Sequence, residues 1–288
     1  MALKKSNAKE DKTFSEAMAQ VEAENKVQID TGTPATSDDG IVHGEQLLCG
    51  YTDPETGITH TTFDYREMDG ADEEAMSKGD VRSNGAKLAN LICERCVVAI
   101  GSLTKKEVGP FQWGKIIRSM LSGDIDYMMF KIRELSKGST VTFTHRCPKC
   151  GSKLVTETDM SDFPIEPFKG QTEIPFTLPG KGYMDNHKQF HKSGVLRLPN
   201  GYDREILVPL MMKNKGQATT TLLSRVMTLD DDTPIFTENV KRMSIRDRDF
   251  LNKLLEDNAF GISTAIEGIM CTSCGADLSE VQGESDFF

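Results

Sequence analysis

Two CxxC-Gly turns, Cys147-Pro148-Lys149-Cys150-Gly151 and Cys271-Thr272-Ser273-Cys274-Gly275, constrain this chain more than any other feature. Such a turn presents two thiolates from one tight loop. Its glycine permits the left-handed residue that lets backbone amides approach the sulfurs. One turn supplies half of a tetrahedral zinc site, and two supply a closed site of four thiolates. The turns are about 120 residues apart, much farther than in a compact zinc ribbon. A duplicated protein resolves that difficulty, because pseudo-twofold pairing brings equivalent turns together. The expectation is one structural zinc per chain on Cys147, Cys150, Cys271 and Cys274. The competing readings are free thiols, a disulfide pair or another metal arrangement.

The order of predicted elements supports a duplication. In the first half, strands are expected at Gln46 to Cys49 and Ile58 to Met68, and helices at Ala86 to Leu103, Phe111 to Leu121 and Ile125 to Ser136. Gly138 is placed to stop the last helix. A Thr- and Val-rich strand, Ser139 to His145, then runs into Cys147. In the second half, Asn200-Gly201 reads as a hairpin turn between the strands Val195–Leu198 and Tyr202–Leu210. Helices follow at Gln217 to Leu229, at Glu238 to Met243, and from a Ser244 cap to Asp257; Ile262 to Met270 leads into Cys271. Asp126 lies 21 positions before Cys147 and Asp249 lies 22 before Cys271. Ser-Asp-Phe follows the first cysteine of each turn by 14 positions, at Ser161 and Ser285. The reading is an α+β fold of two related halves, 45–163 and 195–288, each with a β-hairpin, helices and a knuckle. An irregular linker, 164–194, joins them, and a polar arm, 1–44, precedes them.

Other polar groups have competing readings. Cys93 and Cys96 fall inside an apolar helix pattern with Leu88, Leu91, Ile92, Val97 and Ile100, lack a following glycine, and have no counterpart in the second half. They read as core thiols rather than a metal or redox pair. His187 and His191 have the helical i, i+4 spacing of a metal pair, but lie in the expected linker and lack the glutamate of a zinc protease motif. His145 can act on a neighbouring thiolate from outside the ligand set. The pairs Asp124/Asp126 and Asp247/Asp249 are the acids expected where a helix begins, with Mg²⁺ binding as the sharper alternative. No Gly-rich phosphate loop, GxSxG elbow or triad is present. Four thiolates around zinc leave no open position for a substrate, so neither catalysis nor a small-molecule substrate is indicated.

Residues 1–40 hold too little apolar surface to offset ordering entropy. Within them, Thr13-Phe14-Ser15-Glu16 reads as a capping box, and Phe14, Ala17, Met18 and Val21 recur at helical spacing. Phe14, Met18 and Val21, with Phe287 and Phe288, are apolar residues in otherwise polar segments and are the candidate partner contacts. The net charge of −10 repels phosphate backbones and argues against nucleic acid. No apolar run is long enough to span a membrane, and Lys4 and Lys5 are not followed by the apolar stretch of a secretory signal. A reducing, cytoplasmic setting is expected, where CxxC pairs serve metal or redox chemistry.

From Ile58 to Phe288 the sequence resembles the T-even-type bacteriophage base-plate protein family, which includes base-plate hub subunits of contractile-tailed phages. The resemblance rests on Thr140 to Leu154 with its knuckle, on Phe176-Thr177-Leu178-Pro179-Gly180, on Met243 to Phe260 with its Asp-Arg-Asp, and on Cys271 to Gly275 with the Phe287-Phe288 pair. It implies a structural or assembly role in a tail base-plate hub, with other tail proteins as partners. The setting it implies is the host cytoplasm during assembly, and the virion if the protein is retained. The long polar arm and the Cys93/Cys96 pair depart from the pattern. Two other classes stay open: a nucleic-acid-binding zinc-ribbon regulator, and a thiol oxidoreductase using Cys93 and Cys96.

Overall fold

The computed structural model describes residues 40–263 and 269–278, together with the backbone of 284–285. These lie in the unit Ala35–Phe288. The fold is mixed α and β. In the first half, β1 (Ile41–Thr52), β2 (Thr59–Arg66), β3 (Val97–Ile100) and β4 (Leu103–Thr104) form an antiparallel sheet in that order. Between β2 and β3 come α1 (Gly70–Met76), α2 (Gly79–Arg82) and α3 (Gly85–Cys96). After β4 come α4 (Lys105–Val108), α5 (Pro110–Ser119) and α6 (Ser122–Lys137). Phe63, Ile92, Ile100, Trp113, Ile117 and Met128 are buried together between these elements.

A hairpin of β5 (Thr140–Arg146) and β6 (Lys153–Asp159) follows, with Arg146 paired to Lys153 across the first knuckle. The backbone of β14 (Glu284–Ser285) pairs with the other edge of β5. The span 164–194, expected to be irregular, contains β7 (Ile165–Glu166), β8 (Glu173–Thr177), β9 (Tyr183–Met184) and β10 (Phe190–His191), and the start of β11 (Ser193–Arg197). Ile174 and Phe176 alternate with exposed residues along β8 and give it a core face. The second half continues with α7 (Gly201–Lys213), α8 (Lys215–Val226), β12 (Met227–Leu229), α9 (Thr237–Lys241), α10 (Ile245–Asp257) and β13 (Gly261–Ile262). Its sheet runs β12-β11-β8, again antiparallel. Tyr183, Leu196, Leu223, Val226 and Leu251 belong to its core.

Three expected elements differ from the structure. The hairpin at Asn200-Gly201 is a helix start. Asn200 has extended backbone, its side chain accepts from the Asp203 amide, and the Asp203 carboxylate accepts from the Asn200 amide. That reciprocal capping box turns Tyr202–Leu210 into helix rather than strand. The helix expected to reach Leu103 ends at Cys96, because Val97–Ile100 is drawn into pairing with β2. The helix expected to reach Leu229 ends at Val226 for the same reason, with Met227–Leu229 pairing to β11.

A matched set of polar contacts occurs in each half. In the first, Asp72 is buried and receives Arg66 at 2.7 Å and Arg95 at 2.5 Å, while Arg66 also reaches the Arg95 carbonyl. In the second, buried Asp203 receives Arg197 at 2.6 Å and Arg225 at 2.7 Å, and Arg197 reaches the Arg225 carbonyl. Each aspartate closes a capping box with Asp69 or Asn200. Each clasp ties the end of one strand to the helix that leads into the next, and so fixes the strand–helix–strand unit.

Asp124 and Asp247 begin the last helix of each half, but they are buried, not solvated acids of a first turn. The Asp124 carboxylate accepts from the amides of Leu48, Cys49 and Gly50 at 2.8–3.1 Å. The Asp247 carboxylate accepts from Gly180 and Gly182 at 2.6 and 3.0 Å and from the Ser244 hydroxyl. Asp124 thus holds the irregular stretch of β1 between Gln46 and Tyr51, and Asp247 holds the loop between β8 and β9.

Candidate metal centre

The two knuckles are built alike. The Gly151 amide donates to the Cys147 carbonyl at 2.9 Å, and the Gly275 amide to the Cys271 carbonyl at 2.8 Å. Gly151 has φ 75° and Gly275 φ 68°, the left-handed conformation that a side chain would strain. The Cys147 amide donates to Ser152 and the Cys271 amide to Ala276, which completes each loop. The first knuckle rides on the β5–β6 hairpin. The second is held by the Met270–Asp277 bridge and the Leu278 to Ile269 hydrogen bond. Between them Cys147, Cys271, Ile269 and Leu278 form a small buried cluster against Leu154.

The structure brings the four predicted cysteines together, with all four sulfurs within 4.8 Å of one another. Cys147 Sγ is 3.7 Å from Cys274 Sγ, and Cys150 Sγ is 3.6 Å from Cys271 Sγ. A tetrahedral zinc with bonds of about 2.3 Å has sulfur–sulfur edges of about 3.8 Å. The donor set therefore fits a metal ion of that size. Its electrostatics agree. The Ser152 hydroxyl, then the Ser273 and Cys274 amides, lower the Cys271 thiol to about 6. The Ser152 hydroxyl and amide also lower Cys150. At Cys274 the Ala276 amide favours the thiolate, but the adjoining Cys150, burial, Cys147 and Cys271 together push it up to about 12. Four thiolates crowd one another unless a cation sits among them.

Ser152 was not foreseen from the sequence. Its hydroxyl lies 2.9 Å from Cys150 Sγ and 3.2 Å from Cys271 Sγ, so one side chain touches a sulfur of each knuckle. Its place two residues after Cys150 was the available signal. His145 is buried and stacked on Phe143, with centroids 6.2 Å apart; it is not one of the four clustered ligands.

The other candidates resolve separately. His187 and His191 are not on a helix. His187 lies in a turn before β10, and His191 pairs with Asp231 at 2.7 Å and Asp185 at 3.3 Å. Cys93 and Cys96 are fully buried; their thiols face the Ile125 carbonyl and Asp72. Burial, with Asp72 beside it, pushes the Cys96 thiol up to about 12, and burial also raises Cys93. Phe14, Met18, Val21, Phe287 and Phe288 lie outside the described residues. Among the described residues, no helix is long and apolar enough to cross a membrane.

These features define an α+β protein with a candidate four-cysteine metal centre. The profile of the family described as T4 bacteriophage base plate protein matches residues 92–288, and the chain belongs to that family. The match takes in both knuckles and the entire second sheet. No curated protein and no solved structure matches the chain. Membership points to a phage baseplate structural protein rather than an enzyme, one that contacts other tail proteins as part of the virion tail.

Proposed function

We propose that the chain is a structural or assembly protein of the hub of a phage tail baseplate, acting through protein–protein contacts. It is built of two related halves whose knuckles share one structural zinc. The family match over residues 92–288 carries the reading, and the placement at the hub rests on the resemblance given above. Assembly takes place in the host cytoplasm. Membranes, nucleic acid and small-molecule substrates are not its partners, in line with a net charge of −10.

Two observations support the related halves. The sheet orders β1-β2-β3 and β8-β11-β12 correspond, and the clasps around Asp72 and Asp203 match bond for bond. An all-sulfur, enclosed donor set supports zinc in a structural role, as in a zinc ribbon. Zinc bound there supplies a cross-link whose binding energy becomes folding energy. The Cys93/Cys96 pair disfavours the oxidoreductase alternative, since raised thiol pKa values and burial withhold the thiolate nucleophile.

The test is a protein inventory, by mass spectrometry, of purified tails and of baseplate intermediates from infected cells. The expected result is the chain in baseplate-containing fractions, with one zinc per purified chain. Its absence from both tails and intermediates would overturn the proposal.

A further inference from the structure

One groove of the second half lies at the position that, in the first half, holds a helix in place. In the first half α7 docks by its N-terminus against α3, α5 and α6. Asn84 donates to the Glu205 carbonyl at 2.8 Å. Asn90 and Arg118 donate to the same Glu205 carboxylate oxygen, at 2.7 and 3.0 Å. Gly201 fits tightly, because a Cβ there would sit 2.7 Å from Asn90 Oδ1 and 2.9 Å from both the Arg118 carbonyl and Ile125.

The helix caps, the clasps and the buried aspartates set the correspondence between halves. Asn214 caps α8 as Asn84 caps α3. Counting from these anchors, Thr220, Lys241 and Arg248 occupy the positions of Asn90, Arg118 and Ile125. These residues line a surface groove of about 450 Å³, together with Gly216 and Gln217. The element corresponding to α7 is α1, where Gly70, Asp72 and Glu74 stand in the positions of Gly201, Asp203 and Glu205.

We infer that this groove receives α1 of a second copy of the chain, with Glu74 set against Lys241 and Asn214. Four observations support a second copy. Within its own chain α1 packs on α3, away from the groove. Gly70 and Glu74 are exposed, and a Cβ on Gly70 would meet nothing within 4 Å, so its own chain gives no reason for glycine there. At the groove, Arg248 Nη2 donates to the Gly216 carbonyl and the Thr220 hydroxyl, but its Nε is buried without an acceptor among the described residues. Ile245, which corresponds to Ser122 of the docked half and begins the helix that carries Arg248, is 75% exposed.

The contact is head-to-tail: each copy offers α1 from one half and a groove from the other. Such contacts add copies in one direction and close into a ring or continue as a filament. Not every contact carries over: Thr220 stands where Asn90 donates to Glu205, and Lys241 also pairs with Glu238 at 2.6 Å within its own chain. Arg204 pairs with Asp126 within the chain, but their counterparts, Glu73 and Asp249, are both acidic. The junction between copies is therefore weaker than the junction inside one, and Glu73→Arg should tighten it.

This inference rests on the reading of two related halves, but its test measures the contact itself. Sedimentation of the purified full-length chain over a concentration range is the measurement. Glu73, Glu74 and Lys241 are exposed, so the variants should keep the fold, which circular dichroism checks. Glu73→Arg should associate at least about tenfold more tightly than wild type. Glu74→Lys and Lys241→Glu should each weaken association by a similar factor, and an equimolar mixture of the two should recover it. Absence of association in both wild type and Glu73→Arg would overturn the proposal, and so would association indifferent to positions 74 and 241. An experimental structure in which the two halves fail to superpose would instead overturn the repeat reading alone.

Discussion

Replacing Cys147 or Cys271 by serine removes one of four clustered sulfurs and should abolish stoichiometric metal binding. Elemental analysis of the purified variants should fall from one zinc per chain to near none. Ser152 tests a finer point. Its hydroxyl touches Cys150 and Cys271 without belonging to the sulfur cluster. Partners of this kind tune affinity, so Ser152→Ala should keep one zinc but bind it about 10- to 100-fold more weakly. Competition against a chromophoric chelator reads that change. An unchanged affinity would mean that the backbone amides alone prepare the thiolates. The four cysteines were legible from the sequence because spacing and a trailing glycine are local signals. The reach of Ser152 to Cys271 was not, since it depends on how two distant turns meet.

At the level of elements, the clasps bear most on stability. Burial raises the Asp72 carboxyl, but Arg66, the Asp69 amide and Arg95 outweigh it and hold it well below the usual range. Asp203 is held down in the same way by Arg197, the Asn200 amide and Arg225. A carboxylate depressed on folding stabilises above its unfolded pKa, and that contribution is lost as pH falls through the folded value. Stability to urea should therefore drop as pH is lowered below about 4, the ordinary carboxylate range. Asp72→Asn should lose about 3 kcal/mol at pH 7, as expected for breaking a buried ion pair, and should show a shallower acid dependence. The junction at α7 gives a second test. Glu205→Ala strips the acceptor from Asn90 and Arg118 and should cost about 2–3 kcal/mol, read from the urea midpoint.

The same elements show why part of the fold was hidden from sequence reading. Asn200-Gly201 has the composition of a hairpin turn, and Tyr202 to Leu210 is rich in strand-forming residues. The capping aspartate three residues on decided for helix. The clasp residues Arg66 and Arg95 are far apart in the chain, yet the spacing Arg66-x-x-Asp69-x-x-Asp72 recurs as Arg197-x-x-Asn200-x-x-Asp203. That recurrence was the readable trace. The ends of α3 and α8 were not readable, because partner strands terminate them.

On the scale of the whole molecule, the four-cysteine cluster is not the sole connection between the two knuckle-bearing parts of the chain. The Glu205 network and the Leu121–Asn200 bridge join them independently. Removing the metal should therefore open the knuckles while the halves stay together. With a chelator present, thiol-reactive reagents should label Cys147, Cys150, Cys271 and Cys274, and Cys93 and Cys96 should remain protected. Mass spectrometry of labelled peptides measures this. Early labelling of Cys93 would show that the first core depends on the metal.

The order of the knuckles along the chain has a consequence for synthesis. Cys150 and Cys271 are separated by 121 positions, with the whole second sheet between them. A nascent chain that has not reached Cys271 offers at most two sulfurs of the set, too few to hold a structural zinc tightly. Closing a loop of this size restricts the unfolded chain by about 4–5 kcal/mol, if the cross-link acts as a disulfide of that span would. That stabilisation arrives only after both sheets have emerged. A chain cut short before Cys271 by a nonsense mutation should lack it and unfold at lower urea than the full chain.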